Sequence, residues 1–387
     1  MDAPRARLIA AVAGCAALLA GTAGARTIET PRPYEAFFGA VSAATPPRAA
    51  RAEVVAGGRV VASAPVSDRR ARVRLDLDPG RYDLRLRFLD ADGRRLGVAR
   101  AESVWLLPRS AARGRRELRP DRPLAARLAA HGRAYRGWAA VWTHDLATGR
   151  YAGWNADAAF PAASTVKLGV LIAALGRFGA EPARSRGWQD VRDVATWSSN
   201  VASNRLLVRL GGSERRGAWI VQQTLWRLGA RSSTFTGFYR LGTTRRTAAA
   251  RDAPRPLPVY AHRRTTARDL GRVLLELHLS ALGNRLALRR TGLSRHEARV
   301  ALGLLLAGDG RGENRGLFRP TLGGGLPAAQ KHGWTTTVQH SAAIAYGRRG
   351  PRIVVVLTYH PRVRIAASRR LATAVLEELG METVRGG

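Results

Sequence analysis

Two side chains three residues apart raise the question of chemistry. Ser164 and Lys167 stand in Phe160-Pro161-Ala162-Ala163-Ser164-Thr165-Val166-Lys167, where an apolar stretch begins that predicts a helix from Ser164 to Phe178. Residues i and i+3 share a helix face, so the hydroxyl and the amine point the same way. A serine hydroxyl is a poor nucleophile until a neighbouring base takes its proton. Lysine can be that base when burial or nearby positive charge lowers its pKa; arginine cannot, because it stays protonated. The chain holds 64 Lys+Arg, of which only Lys167 and Lys331 are lysine. A lysine three residues after a serine is therefore informative, although a capping serine followed by a chance lysine would read the same way.

The second lysine lies in Gln330-Lys331-His332-Gly333-Trp334, ahead of two strand-like runs. A strand carrying Lys-x-Gly can line a cleft: the glycine lets a substrate approach the backbone, and the ammonium attracts a carboxylate. An ordinary exposed strand lysine is the plain alternative. Between the two lysines lies Trp197-Ser198-Ser199-Asn200, leading into the helical Arg205-Leu206-Leu207. Ser198 and Asn200 offer a proton relay and an amide-binding group at a helix entry, though both residue types are also good helix caps.

The elements that must hold these residues change character along the chain. Residues 26–48, with Pro31, Pro33, Pro46 and Pro47, read as a linker. From Ala49 the pattern has period two: Val73, Leu75 and Leu77, then Tyr82, Leu84, Leu86 and Phe88, alternate with charged residues between Asp-Gly and Pro-Gly turns. This predicts a small all-β sandwich over 49–118, similar to immunoglobulin-like modules, serving as spacer or adaptor. Residues 119–387 read as a second domain. Strands at 137–142, 150–154, 339–347 and 352–360 enclose helical patterns at 200–210, 213–229, 265–282 and 294–307, and a helix at 366–379 closes the chain. The fold class is α/β (α+β), with an antiparallel sheet flanked by helices. Residues 240–266, rich in Arg, Pro and Thr, read as a long surface loop.

Together the three pieces resemble the class A β-lactamase and penicillin-binding serine hydrolase superfamily. Ser164-Thr165-Val166-Lys167 matches its S-x-x-K element, Ser198-Ser199-Asn200 fills its S-D-N element and Lys331-His332-Gly333 its K-T-G element. Phe160-Pro161, Asn204 to Gly212, Thr265-Thr266-Ala267, Gly325-Leu326-Pro327 and His340 to Ile344 look like the family's flanking text. The resemblance covers about residues 121–387. It implies that Ser164 attacks a carbonyl and forms an acyl-enzyme, that Lys167 accepts its proton or positions the base, and that Ser198 relays a proton to the leaving nitrogen. It implies that Asn200 binds the substrate's amide side chain, that Lys331 holds its carboxylate and supports Ser198, and that Gly333 lets it approach. The backbone N–H groups of Ser164 and Trp334 would form the oxyanion hole.

Three departures qualify the resemblance. Ser199 replaces an aspartate that acts mainly as a brace. His332 replaces Thr or Ser; strand alternation turns it away from Lys331, toward a packing role. Most important, class A enzymes use an omega-loop Glu to activate the deacylating water, and from Ala230 to Ala267 the chain has no Glu; Asp252 is the only acid and His262 the only histidine there. Without a placed base, release of the acyl group should be slow. The expected activity is that of a class A β-lactamase-like hydrolase. A penicillin-binding-type D,D-peptidase or transpeptidase-like enzyme on cell-wall peptides and a non-catalytic wall-binding protein are the alternatives.

Composition bounds the rest. Apolar residues make up 45%, as in ordinary globular chains, and the formal charge is +36. Such charge suits an anionic cell envelope, although arginine excess of this kind also follows from codon usage. No nucleic-acid partner, cofactor or metal is expected, since no His/Asp/Glu group has ligand spacing and a single cysteine excludes a Cys-based zinc site. A monomer is expected. Residues 1–25 combine Arg5 and Arg7, an apolar run from Leu8 to Ala20 and Ala23-Gly24-Ala25, the pattern of a secretory signal peptide cleaved near Ala25. The alternative is a lipoprotein signal with Cys15 lipidated.

Overall fold

The computed structural model describes residues 28–179, 182–239, 263–308, 315–323, 325–362 and 365–384. The expected signal peptide, Cys15 and most of the long loop at 240–266, with Asp252 and His262, lie outside the described residues.

Alternating residues build the first part of the chain into β1 (Ile28–Thr30), β2 (Ala36–Phe37), β3 (Ala40–Ala44), β4 (Arg51–Ala56), β5 (Arg59–Ser67), β6 (Arg70–Arg74), β7 (Gly80–Leu89) and β8 (Arg95–Leu106). They pair in the order β1-β3-β6-β5-β4-β7-β8-β2, with β2 parallel to β8 and the other pairs antiparallel. Their inward residues, among them Val41, Val54, Val73, Leu86 and Phe88, meet in one core.

Residues 26–48 are therefore not a linker: three of these strands lie within 28–44. The prolines fall in the turns, and the residues between them are buried, with Ala36, Phe37, Val41 and Ala43 at 1% exposure or less. The same segment docks onto the second domain. Ala36 joins that domain's core, and the Tyr34 ring lies 4.9 Å from that of Trp188. Gly303 makes room for the Tyr34 carbonyl, which a Cβ would approach to 1.9 Å. Buried Glu35 meets His296 Nδ1 at 2.6 Å and Arg299 at 3.9 Å.

The second domain begins with β9 (Arg119–Pro120), α1 (Arg122–Ala134), β10 (Trp138–Asp145), β11 (Arg150–Trp154), β12 (Phe160–Pro161) and α2 (Lys167–Phe178). The helical region follows, with α3 (Trp188–Thr196), α4 (Asn200–Gly211), α5 (Glu214–Arg227), the short β13 (Arg264–Thr265), α6 (Ala267–Leu282), α7 (Arg285–Thr291) and α8 (Arg295–Ala307). It closes with β14 (Ala328–Trp334), β15 (Val338–Gly347), β16 (Gly350–Tyr359) and α9 (Ile365–Glu378). The sheet order is β14-β15-β16-β10-β11-β9, antiparallel except for β9 beside β11.

Helices cover both faces of this sheet. On one, α1, α9 and Leu317 to Leu322 pack against Ala328, Ala343 and Val354; on the other, α2, α6 and α8 pack against Ala329, Ala342 and Val355. Alternation along the edge strand β14 thus turns Lys331 and Gly333 toward the helical domain. His332 and Gln330 face the opposite way, where Gln330 Oε1 accepts from Phe318 N at 3.1 Å. Among the described residues no helix is long and apolar enough to cross a membrane.

Candidate active site

Ser164 does not begin a helix, as the apolar pattern predicts; α2 starts at Lys167. Ala163 has φ 46, in the left-handed region that a non-glycine residue rarely adopts, so the chain turns there before the helix can start. Thr165 Oγ1 ties the turn by donating to Ala162 O at 2.6 Å. Ser198, with φ 59, is held in the same region. Strained residues thus flank the nucleophile element and carry the second hydroxyl, as is common where surrounding structure fixes a functional geometry. Ser199, in the place of the family's aspartate, caps α4 by accepting from Ala202 N at 3.1 Å.

The elements converge. Lys167 is buried, and its Nζ donates to Asn200 Oδ1 at 2.6 Å and to the Ser198 carbonyl. From the sheet edge, Lys331 Nζ donates to Ser198 Oγ at 2.7 Å and to His332 O at 2.8 Å. Gly333 closes on the turn: a Cβ there would come within 2.7 Å of Ser164 N and 2.9 Å of Thr165 N. Only glycine lets β14 approach the Ser164 amide so closely. Ser164 itself is half-buried, and the Trp334 side chain is exposed. All seven residues singled out in the sequence therefore stand on the elements that meet around Ser164.

Electrostatics favours proton transfer. Burial, then Lys331, then Arg263 hold Lys167 well below the ordinary lysine pKa. A neutral amine has two N–H groups, and both have acceptors here, in Ser198 O and Asn200 Oδ1. Its lone pair is then free to accept a proton. Burial, and after it Arg319, lower Lys331 to about 7. His332 is lowered to about 2 by burial and by Lys331, Arg319 and Lys167, so its imidazole is neutral at ordinary pH. It is 5% exposed on the face away from Lys331, where it packs.

The sequence reading missed Tyr239 and Arg263. Tyr239 lies 7% exposed with its ring centroid 4.3 Å from Lys167 Nζ, and the Arg263 guanidinium carbon is 3.9 Å from the same ring. The segment from 230 to 267 holds no Glu; its aromatic run at 235–239 is the signal in the sequence. Among the described residues, no group of three His, Cys, Asp or Glu could hold a metal ion. A separate cleft of about 810 Å³, between the N-terminal strands and the sheet, contains none of these side chains.

A sequence profile described as the beta-lactamase enzyme family matches residues 123–186 and 188–382, more than half of the chain. The chain belongs to that family. It is a β-lactamase-like serine hydrolase. Solved structures agree on the fold. PBP-A is 18% identical with a TM-score of 0.52, covering 68% of this chain and 98% of its own. A beta-lactamase from Streptosporangium roseum is 16% identical with a TM-score of 0.52, covering 67% of this chain and 99% of its own. A structure of a PBP-A mutant, 18% identical with a TM-score of 0.51 and covering 68% of this chain and 98% of its own, is an acyl-enzyme complex with penicillin G. No curated protein matches the chain.

Proposed function

We propose that the enzyme is a class A-type serine hydrolase that opens β-lactams or related amides by acylation of Ser164, and that release of the acyl group is the slow step. The observation that carries this reading is the hydrogen-bonded set of Lys167, Ser198, Asn200 and Lys331 gathered beside the Ser164 turn. In the acylation step Ser164 Oγ bonds to the carbonyl carbon while its proton passes to the neutral Lys167 amine. The carbonyl oxygen takes the negative charge between the N–H groups of Ser164 and Trp334, which Gly333 brings close. Each such donor is worth about 10²–10³ in rate. The amide C–N bond then breaks, and a proton returns through Ser198 to the leaving nitrogen. Asn200 holds the substrate's amide side chain, and Lys331 in its charged form draws the carboxylate.

The absence of Glu from 230 to 267 supports slow hydrolysis of the ester. The same observation favours a second reading, a penicillin-binding-type enzyme whose natural acyl donor is a cell-wall peptide. The acyl-enzyme of a PBP-A mutant with penicillin G lends support to covalent capture as the common step.

A fluorescent penicillin followed by a chromogenic cephalosporin tests the proposal. Covalent labelling with slow turnover of the cephalosporin is expected. Labelling with no turnover selects the penicillin-binding reading. No labelling, with Ser164→Ala indistinguishable from wild type, overturns both. Export after cleavage near Ala25 belongs to the same proposal, with retention as a lipoprotein at Cys15 as the alternative. The +36 charge supports contact with an anionic envelope, which salt should release from isolated walls if the tether is electrostatic.

A further inference from the structure

The three motif elements account for ester formation, but a fourth segment also reaches Lys167. Asn204 lies one turn beyond Asn200 on α4, and residues four apart share a helix face. Its side chain clamps the backbone of Tyr239 at two points: Tyr239 N donates to Asn204 Oδ1 at 2.8 Å, and Asn204 Nδ2 donates to Tyr239 O at 2.9 Å. One helix therefore fixes Lys167 through Asn200 and Tyr239 through Asn204.

The ring this clamp holds is locked from other directions too. Its hydroxyl donates to the carbonyl of Ala163 at 3.4 Å, next to Ser164. Arg263 stacks on it and staples the preceding loop, donating to Gly237 O at 2.6 Å and to Phe238 O. Phe235 meets it edge-on at 6.0 Å. The groups facing Lys167 are then Ser198 and Asn200 at the start of α4, Lys331 on β14, and Tyr239 and Arg263 on this segment; His332 lies beyond Lys331 on the other face of β14. Its ionisable neighbours are Arg263, a permanent cation, and Lys331, which is charged below about pH 7.

This arrangement poses a problem for catalysis. When Ser164 gives its proton to Lys167, an ammonium forms in a buried site that already faces the Arg263 cation and, below about pH 7, a charged Lys331. An aromatic face within about 6 Å attracts such a charge, and more strongly when water is excluded.

We propose that Tyr239 is a positioning residue for this reaction: its ring face receives the ammonium that forms on Lys167 during acylation, while its phenol supplies no base for the water that must release the acyl group. The proposal rests on the reading of Ser164 as the acylated nucleophile. In acylation the Ser164 Oγ–carbonyl bond forms, the amide C–N bond breaks, and the proton travels from Ser164 to Lys167 and through Ser198 to the leaving nitrogen. The ring stabilises only the middle of that path, which is where stabilisation raises the rate. In deacylation a water oxygen bonds to the carbonyl carbon, the bond to Ser164 Oγ breaks, and one water proton must be held before it returns to Ser164. A protonated phenol cannot hold it. Burial raises the phenol's pKa further, with Arg263 offsetting part of the effect.

The test is the rate of acylation by fluorescent penicillin as a function of pH, and the lifetime of the label, for the full chain and three variants. Acylation needs neutral Lys167, so the rate rises with pH through that group's pKa. Tyr239→Leu keeps apolar bulk but loses the ring; it should slow acylation about 10-fold and move the rising limb to lower pH, because the ammonium is less favoured. Tyr239→Phe should restore most of both. Tyr239→Glu should shorten the label's lifetime at least about 10-fold. A limb that stays in place in Tyr239→Leu overturns the ring's role; if that variant does not fold, failure of Tyr239→Glu to shorten the lifetime overturns the missing-base half. A wild-type protein that takes no label overturns the reading of Ser164 and this proposal with it, whereas normal wild-type labelling with an unmoved limb overturns this proposal alone.

Discussion

Two regions meet at Lys167 and bring it different chemistry. The wall formed by α4 and β14 supplies hydrogen-bonding groups at 2.6 and 2.7 Å: Asn200 to one lysine, Ser198 to the other. The segment around Tyr239 supplies an aromatic ring 4.3 Å away and a second cation, Arg263. The difference teaches that making an ester and breaking it are separate problems of proton placement. A neutral amine can start the first. The second needs an acceptor near water, and the aromatic region offers none in its described part.

The comparison breaks first at the nucleophile. Ser164→Ala should abolish covalent labelling, and Lys167→Arg should reduce the acylation rate by about 10²–10⁴, since arginine keeps the charge but accepts no proton. Stopped-flow labelling checks both; an active Lys167→Arg would mean that another group takes the proton. The next largest effect belongs to Gly333→Ala. Its Cβ would stand 2.7 Å from Ser164 N, so β14 or the turn must shift and the oxyanion donors separate. Acylation should fall about 10²-fold, and because the clash is with backbone the melting temperature should fall too; measuring the rate on protein that remains folded isolates the effect on the donors.

A smaller effect comes from pH. Lys331, lowered to about 7, is charged below that value and neutral above it. Capture of a β-lactam carrying a carboxylate should therefore weaken as pH rises through about 7, while neutralisation of Lys167 favours acylation in the same direction of pH. The rate constant at low substrate should pass through a maximum. Using a substrate without the carboxylate should remove the falling limb and leave the rising one.

The smallest effect on rate is expected far from the site. Glu35 is buried between the N-terminal strands and α8, against His296 and Arg299. Glu35→Ala leaves buried Arg299 without its charge partner and should cost about 3 kcal/mol of stability. Folded protein should still acylate at the wild-type rate, as denaturant titration beside labelling would test.

How far the sequence carried follows from these same residues. S-x-x-K, S-x-N and K-x-G were legible because each is a short run whose spacing the local element fixes, and because lysine stands out in a chain that otherwise writes arginine. The alternating strands and most of the helical region were legible for the same local reason. Tyr239 was not, because its place depends on the two-point grip of Asn204, a contact between residues 35 apart. The docking strands at 28–44 were hidden by prolines, which mark turns as readily as linkers; the burial of Phe37 in the N-terminal core and of Ala36 in the second domain's core is tertiary information. The start of α2 was misplaced because the left-handed Ala163 carries no signal in its residue type.

The most direct test of the central claim is intact-mass analysis of the full chain after brief exposure to penicillin G, followed over time after the free drug is removed. The account predicts one adduct per chain, located on Ser164 by peptide mapping, that forms rapidly and decays slowly. No adduct, or an adduct that persists unchanged in Ser164→Ala, would contradict it.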